Sequence, residues 1–199
     1  MLSSWAPCSG VKPIRPPTHP VPIYVAALRS GMLRVAGQVG DGVILNWLAP
    51  HDVARCVGVV REAARQAGRD AAALEITGRL FVYVDPPSPT ADTAARRHIA
   101  AYLNVPVYRA FHEWLGRTPE LGPMWEAWSN GDRRGAVSAI PEATVDALLL
   151  RGAPETIRGR VRQYLEAGID TAFLSLQTSE QDPARKRAVL REALRALAP

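Results

Sequence analysis

Cysteine is scarce, with Cys8 and Cys56 the only two in 199 residues. Two thiols so far apart support neither a disulfide framework nor a zinc site, and free thiols in a reducing compartment are expected. Lysine is equally scarce: Lys12 and Lys186 are the only two, so the net charge of +5 is carried almost wholly by arginine. Those arginines are interspersed with acids on helix-like stretches, and no nucleic-acid-binding module accompanies them, so no nucleic-acid partner is expected. No apolar run reaches the length of a membrane span. The opening MLSSWAPCSGVKPIRPPTHPVP lacks the cationic segment followed by a long apolar one that export requires, and a cytoplasmic protein is expected. Glycine gathers into neither a dinucleotide fingerprint nor a P-loop, and no short-period repeat suggests a solenoid.

What is present is an alternation of short apolar runs and amphipathic stretches. Composition, with 47% hydrophobic and 22% charged residues, is that of a globular chain. Prolines between Pro7 and Pro22 predict an irregular lead-in over residues 1–20. Pro22 to Ala27 is then an almost wholly apolar run of strand length, as suits a parallel strand buried on both faces. Met32 to Val39 fits a short helix that Gly40-Asp41-Gly42 ends, and Val43 to Leu48 is a second strand. Asp52 stands where an N-cap belongs, ahead of a helix running to Gly68. Leu74 to Val84 is a third strand, rich in β-branched and aromatic residues.

From about 91 to 150 the text changes to helices carrying Trp114, Trp125 and Trp128, with loops over Gly116 to Pro123 and Ser129 to Gly135. That length exceeds an ordinary βα connection and reads as a helical insertion. The three indoles read as core residues. A helix from about Glu155, a strand over Thr171 to Leu176 and a helix over Pro183 to Leu197 complete the chain. The order predicts an α/β protein with four parallel strands, half the number that a closed (β/α)8 barrel requires.

One stretch has the physical makings of a ligand site: PIYVAALRSGMLRVAGQVGDGVILNW, residues 22–47. Small Ala26 and Ala27 end a strand, and Ser30-Gly31 leads into a helix whose first amides lack partners. Such an N-terminus attracts anions, phosphate above all, and Arg29 or Ser30 can add contacts. The plainer alternative is a tight βα turn packed beneath its helix.

The same run resembles the luciferase-like monooxygenases, flavin- or deazaflavin-dependent barrel oxidoreductases. The matching positions are Pro22, Ile23, Tyr24, Val25, Ala26 and Ala27, followed by Leu33, Ala36, Gly37, Asp41 and Gly42. The ending ETIRGRVRQYLEAGIDTAFLSL, residues 155–176, resembles the family's last helix and eighth strand. The fold implied is the C-terminal half of a TIM barrel: a domain over residues 21–199 with the insertion at about 91–150. The family's first four strands have no counterpart here.

The resemblance further implies a hydride-transferring or oxygen-activating enzyme acting on a small organic substrate. Its implied cofactor-binding residues are Ala27, Leu28, Arg29, Ser30 and Gly31 around the phosphate, with Asn46 and Trp47 lining the pocket. Members commonly carry glycines where this chain has Leu28-Arg29-Ser30. The run NWLAP is reminiscent of deazaflavin-dependent members and favours coenzyme F420, with FMN the alternative. A half-barrel implies a homo-oligomer or a chain supplying the missing half, and a protein that could be inactive alone. A non-catalytic half-barrel module and an unrelated phosphate-ligand binder remain the alternatives. No catalytic residue and no metal ligand is nominated: His51 reads as a solvent-facing loop residue, and His98 and His112 lack metal-like spacing.

Overall fold

The computed structural model describes residues 19–198, so Cys8 and most of the proline-rich lead-in lie outside the described residues. The first strand, β1, spans Tyr24–Ala26 and leads to helix α1, Ser30–Val39. Strand β2, Gly42–Asn46, is followed by α2, Pro50–Gln66, and strand β3, Glu75–Tyr83. Five helices follow: α3 (Pro89–Leu103), α4 (Pro106–Trp114), α5 (Thr118–Ser129), α6 (Arg133–Ser138) and α7 (Glu142–Leu148). The chain ends with β4 (Leu149–Arg151), α8 (Pro154–Glu166), β5 (Thr171–Gln177) and α9 (Pro183–Leu197).

All strand pairs are parallel. Thr77 of β3 pairs at once with Ile44 of β2 and Thr171 of β5, so those two strands occupy opposite edges of β3. Phe81 pairs with both Leu149 and Ser175, which places β4 on the β2 side, beyond the end of β2. The sheet is thus β1, β2, β3, β5 with β4 as a short extension. It is an α/β sheet of the kind that forms the wall of a TIM-like barrel.

Alternation divides the strands between two faces. Val43, Leu45, Ile76, Leu80 and Val82 point toward α1, α2 and α8 and form the main core with Leu33, Val60 and Tyr164. Each such fully buried aliphatic side chain contributes about 1.5–3 kcal/mol of transfer free energy. Contact between α1 and α2 depends on Gly37, where a Cβ would run into the Val60 carbonyl and lie 3.0 Å from the Ala63 Cβ. Tyr24, Asn46, Arg79, Phe81, Tyr83 and Ser175 lie on the opposite, concave face. A second core, built on Phe81, Tyr83, Leu103, Trp125 and Leu148, joins one end of this face to the insertion helices.

Several local expectations need correction. Asp52 is not the N-cap of α2; it is the third helical residue, and its carboxylate accepts the Ala49 amide at 2.6 Å. Pro50 at the first helical position, with φ already fixed, moves the start forward. Likewise α1 begins at Ser30, two residues before the apolar pattern shows it. Gly116 to Pro123 is not all loop, because α5 starts at Thr118 and carries Pro123 within it. β4 has no counterpart in the sequence pattern, since its three residues continue the apolar run that closes α7.

Candidate functional site

The ends of parallel strands share one rim, and the loop Ala27–Arg29 leaves β1 at that rim. Arg29 takes the N-cap position of α1 with φ −111° and ψ 170°, and its side chain makes no capping hydrogen bond. The first amide to find an intrahelical partner is that of Leu33, which donates to the Arg29 carbonyl at 2.9 Å. The amides of Ser30, Gly31 and Met32 have no helical acceptor, and no acidic residue lies in the first turn. The same residues border a groove of about 660 Å³ lined by Leu28, Arg29, Ser30, Gly31, Met32 and Trp114 of α4. A Cβ at Gly31 would meet nothing within 4 Å, so there is open space beside the start of the helix.

Ala27 sits beneath this groove, not on its wall. It is buried in the helix-side core, and its amide donates to Ile44 at 3.1 Å, continuing the β1–β2 ladder. Exposed Ala26 lines the groove in its place. Trp114 also departs from the core reading: it is half-buried, forms part of the groove wall, and carries the Arg55 guanidinium 4.1 Å above its ring. Trp125 is a core residue, its indole N–H donating to the Leu103 carbonyl at 2.9 Å.

Asn46 and Trp47 end the neighbouring strand. Asn46 is on the concave face, and its Oδ1 is buried without a hydrogen-bond partner among the described residues. Trp47 has φ +52°, the only non-glycine residue described with positive φ, and its buried Nε1 is also unpartnered. For a bulky residue this backbone conformation costs about 1–3 kcal/mol and clusters at functional sites. The turn sends the indole away from the α1 groove into the second core, 4.3 Å from the Phe81 ring and 4.9 Å from Tyr102. The structure therefore brings Leu28 to Gly31 together and puts Asn46 on the adjoining rim, while Trp47 is set among the insertion helices.

A further group lies on the concave face beside Asn46. Arg79, its cross-strand neighbour, donates to Ser175 Oγ at 3.1 Å and lies 4.7 Å above the Phe81 ring. The Tyr83 hydroxyl is 3.1 Å from His98 Nδ1 and 3.3 Å from the Ala94 carbonyl. Rings of Trp47, Phe81, Tyr83 and Tyr102 surround the His98 imidazole at 5.0 to 5.9 Å. Burial, helped by the Arg79 charge, lowers the His98 pKa, and burial raises that of Tyr83 to about 12. A neutral imidazole held through Nδ1 leaves Nε2 as its free ring nitrogen. Alternation could have placed Arg79 and Tyr83 on one face of β3, but nothing in the sequence says that α3 returns His98 to that face.

The opposite end of the concave face is polar for another reason. Tyr24 and Thr171 both donate to Glu75, Thr171 at 2.6 Å, tying β1 and β5 to β3. These hydrogen bonds, from Thr171 first and then Tyr24, hold the Glu75 carboxyl below its usual range. Gly42 permits the arrangement, because a Cβ there would collide with the Tyr24 ring that crosses β2. His51 is exposed and flanks a buried ion pair in which Arg117 meets Asp52 at 2.6 Å.

Residues 9–171 match the family model for luciferase-like monooxygenases. Among curated relatives, a 5,10-methylenetetrahydromethanopterin reductase of Methanopyrus kandleri is 26% identical over 170 residues, covering 85% of this chain and 48% of its own. An uncharacterized protein of Mycobacterium tuberculosis is 28% identical over 182 residues, covering 84% and 51%. In fold, the chain is similar to the coenzyme F420 dependent tetrahydromethanopterin reductase from Methanopyrus kandleri (TM-score 0.66, 24% identity, 87% of this chain and 49% of that one). It is also similar to an F420-dependent secondary alcohol dehydrogenase solved with an F420-acetone adduct (TM-score 0.61, 21% identity, 92% and 51%). The chain spans about half the length of the relatives it matches. A family match over residues 9–171, most of the chain, places it in the luciferase-like monooxygenase family.

Proposed function

We propose that this chain forms the C-terminal wall of a luciferase-like oxidoreductase and binds coenzyme F420 along the strand rim, with FMN as the alternative cofactor. The observation that carries this is the start of α1: three amides with no helical acceptor, no carboxylate in the first turn and an exposed Arg29, on residues that line one groove. Both cofactors carry a phosphate on a ribityl chain, and this donor set fits a phosphate. When bound, the cofactor exchanges hydride with a small organic substrate. Leu28 to Gly31 would hold the phosphate, the unpartnered Asn46 Oδ1 would be available to accept a hydrogen bond from the cofactor, and Arg79 would present positive charge on the concave face. Tyr83 orients His98. The reductase relative and the NWLAP run, residues 46–50, support F420 ahead of FMN.

Among the described residues, no strand pairs with the outer edge of β1 or of β5. Such edges invite a second chain, and we assign completion of the barrel to association through them. Cofactor titration followed by fluorescence tests the proposal. F420 is expected to bind one per chain, with Arg29→Gln weakening it about tenfold, the loss of one charge-assisted contact. A folded chain that takes up neither F420 nor FMN contradicts the proposal and favours the non-catalytic half-barrel.

A further inference from the structure

A second concavity, of about 620 Å³, lies between α3 and α6, lined by Arg96, Arg97, Arg133, Arg134, Trp128 and Val137. Its charge is unbalanced. Asp92 is the one carboxylate in the lining, and both its oxygens are engaged, by Arg96 at 2.7 Å and by Arg151 at 3.2 Å. Glu142 beside it also serves Arg96 and Arg151. Arg97, Arg133 and Arg134 meet no carboxylate among the described residues, and residues 1–18 and 199 contain no acidic side chain.

Two of the four guanidinium groups are fixed in place. Arg96 is held by Asp92, by Glu142 and by the Ile140 carbonyl. Arg133 lies 4.0 Å above the Trp128 ring and donates to the Trp128 carbonyl at 2.6 Å. Arg97 and Arg134 make no hydrogen bond among the described residues and are free to close on a ligand. Three uncompensated cations around an apolar floor of Trp128 and Val137 form a recognition surface for a compact anion. Arg61, Arg65, Arg109 and Arg158 each meet a carboxylate, whereas Arg97, Arg133 and Arg134 share one concavity without one among the described residues.

We propose that the α3–α6 pocket binds a small organic polyanion bearing at least two phosphate or carboxylate charges, at a site separate from the α1 groove. Arg97, Arg133 and Arg134 supply the charge, and the Trp128 and Val137 surface takes the ligand's apolar part.

Calorimetric titration of the folded chain with pyrophosphate and with citrate tests the assignment, the two probes separating phosphate from carboxylate preference. Saturable binding of at least one is expected, weakening about tenfold as salt rises from about 0.01 M to about 0.15 M, where the screening length falls from about 30 to about 8 Å. The double variant Arg97→Gln/Arg134→Gln should lower the affinity at least about tenfold, and Arg29→Gln should leave it unchanged. A thermal melt of the same proteins gives a second readout: the probe raises the midpoint of the parent chain and not of the double variant. Absence of saturable binding by either probe, or equal affinity in the double variant, overturns the proposal. Loss of binding in Arg29→Gln alone also overturns it, by placing the anion in the α1 groove.

Discussion

β3 and β5 lie side by side in register, yet differ in nearly every physical respect. From Ile76 to Tyr83 every residue of β3 except Arg79 is buried, and the strand is paired along both edges. β5 has no buried residue, its Phe173 is 51% exposed, and only its β3 edge is paired among the described residues. α9, which follows β5, likewise contains no buried residue, and its Leu194 is 61% exposed. The same apolar sequence pattern therefore yields a finished strand where neighbours exist on both sides and a half-covered one where they do not.

The largest expected effect breaks this contrast at its buried end. Ile76→Ala, deep in the helix-side core, should cost about 2–5 kcal/mol in urea unfolding, whereas Leu174→Ala on half-covered β5 should cost about 1 kcal/mol or less. Comparable losses at the two positions would show β5 to be as fully packed as β3. Gly37→Ala comes next, at about 1–3 kcal/mol, because the new methyl must drive α1 away from α2. An unchanged denaturation midpoint would mean the helices stand further apart than described.

The buried side also carries the pH sensitivity. His112 of α4 is fully buried, with both ring nitrogens unpartnered among the described residues, and burial, followed by the Arg117 charge, lowers its pKa to about 3. The unfolded chain therefore binds a proton below the ordinary value of 6.5 that the folded chain refuses. Stability should fall as pH drops from about 6.5 toward about 3, by up to about 1.4 kcal/mol per pH unit from this group. His112→Leu should flatten that slope, as read from urea midpoints at a series of pH values; an unchanged slope would assign it to other groups.

The smallest effect belongs to the open side. Phe173→Ser should change stability by less than about 0.5 kcal/mol while reducing self-association in sedimentation. A large loss of stability there would mean that Phe173 is covered.

The division between legible and illegible follows the same line. The runs at Tyr24–Ala26, Gly42–Asn46 and Glu75–Tyr83 were legible as strands because a parallel strand buried on its helix side has few polar residues. The turn at Arg29-Ser30-Gly31 was legible because a short strand followed by a glycine-bearing helix start is a local signal. Residues that depend on a distant return of the chain were not. Arg79 reads as an ordinary surface cation until the sheet puts it on the concave face next to Asn46. His98 approaches Tyr83 only because α3 folds back across β3. Trp47 occupies a left-handed conformation that no sequence rule assigns to tryptophan, and Trp114 becomes a groove wall only when α4 docks opposite α1. β4 was hidden by its brevity.

Hydrogen exchange of the chain with and without F420 tests the central claim most directly, because one experiment reads the finished strand, the open strand and the proposed cofactor rim together. Without cofactor, β3 should exchange slowly and β5 quickly; with it, protection should appear over Leu28 to Met32 and at the end of β2, while α6 is unchanged. Protection confined to other segments, or none in a chain whose β3 is slow, would contradict the account.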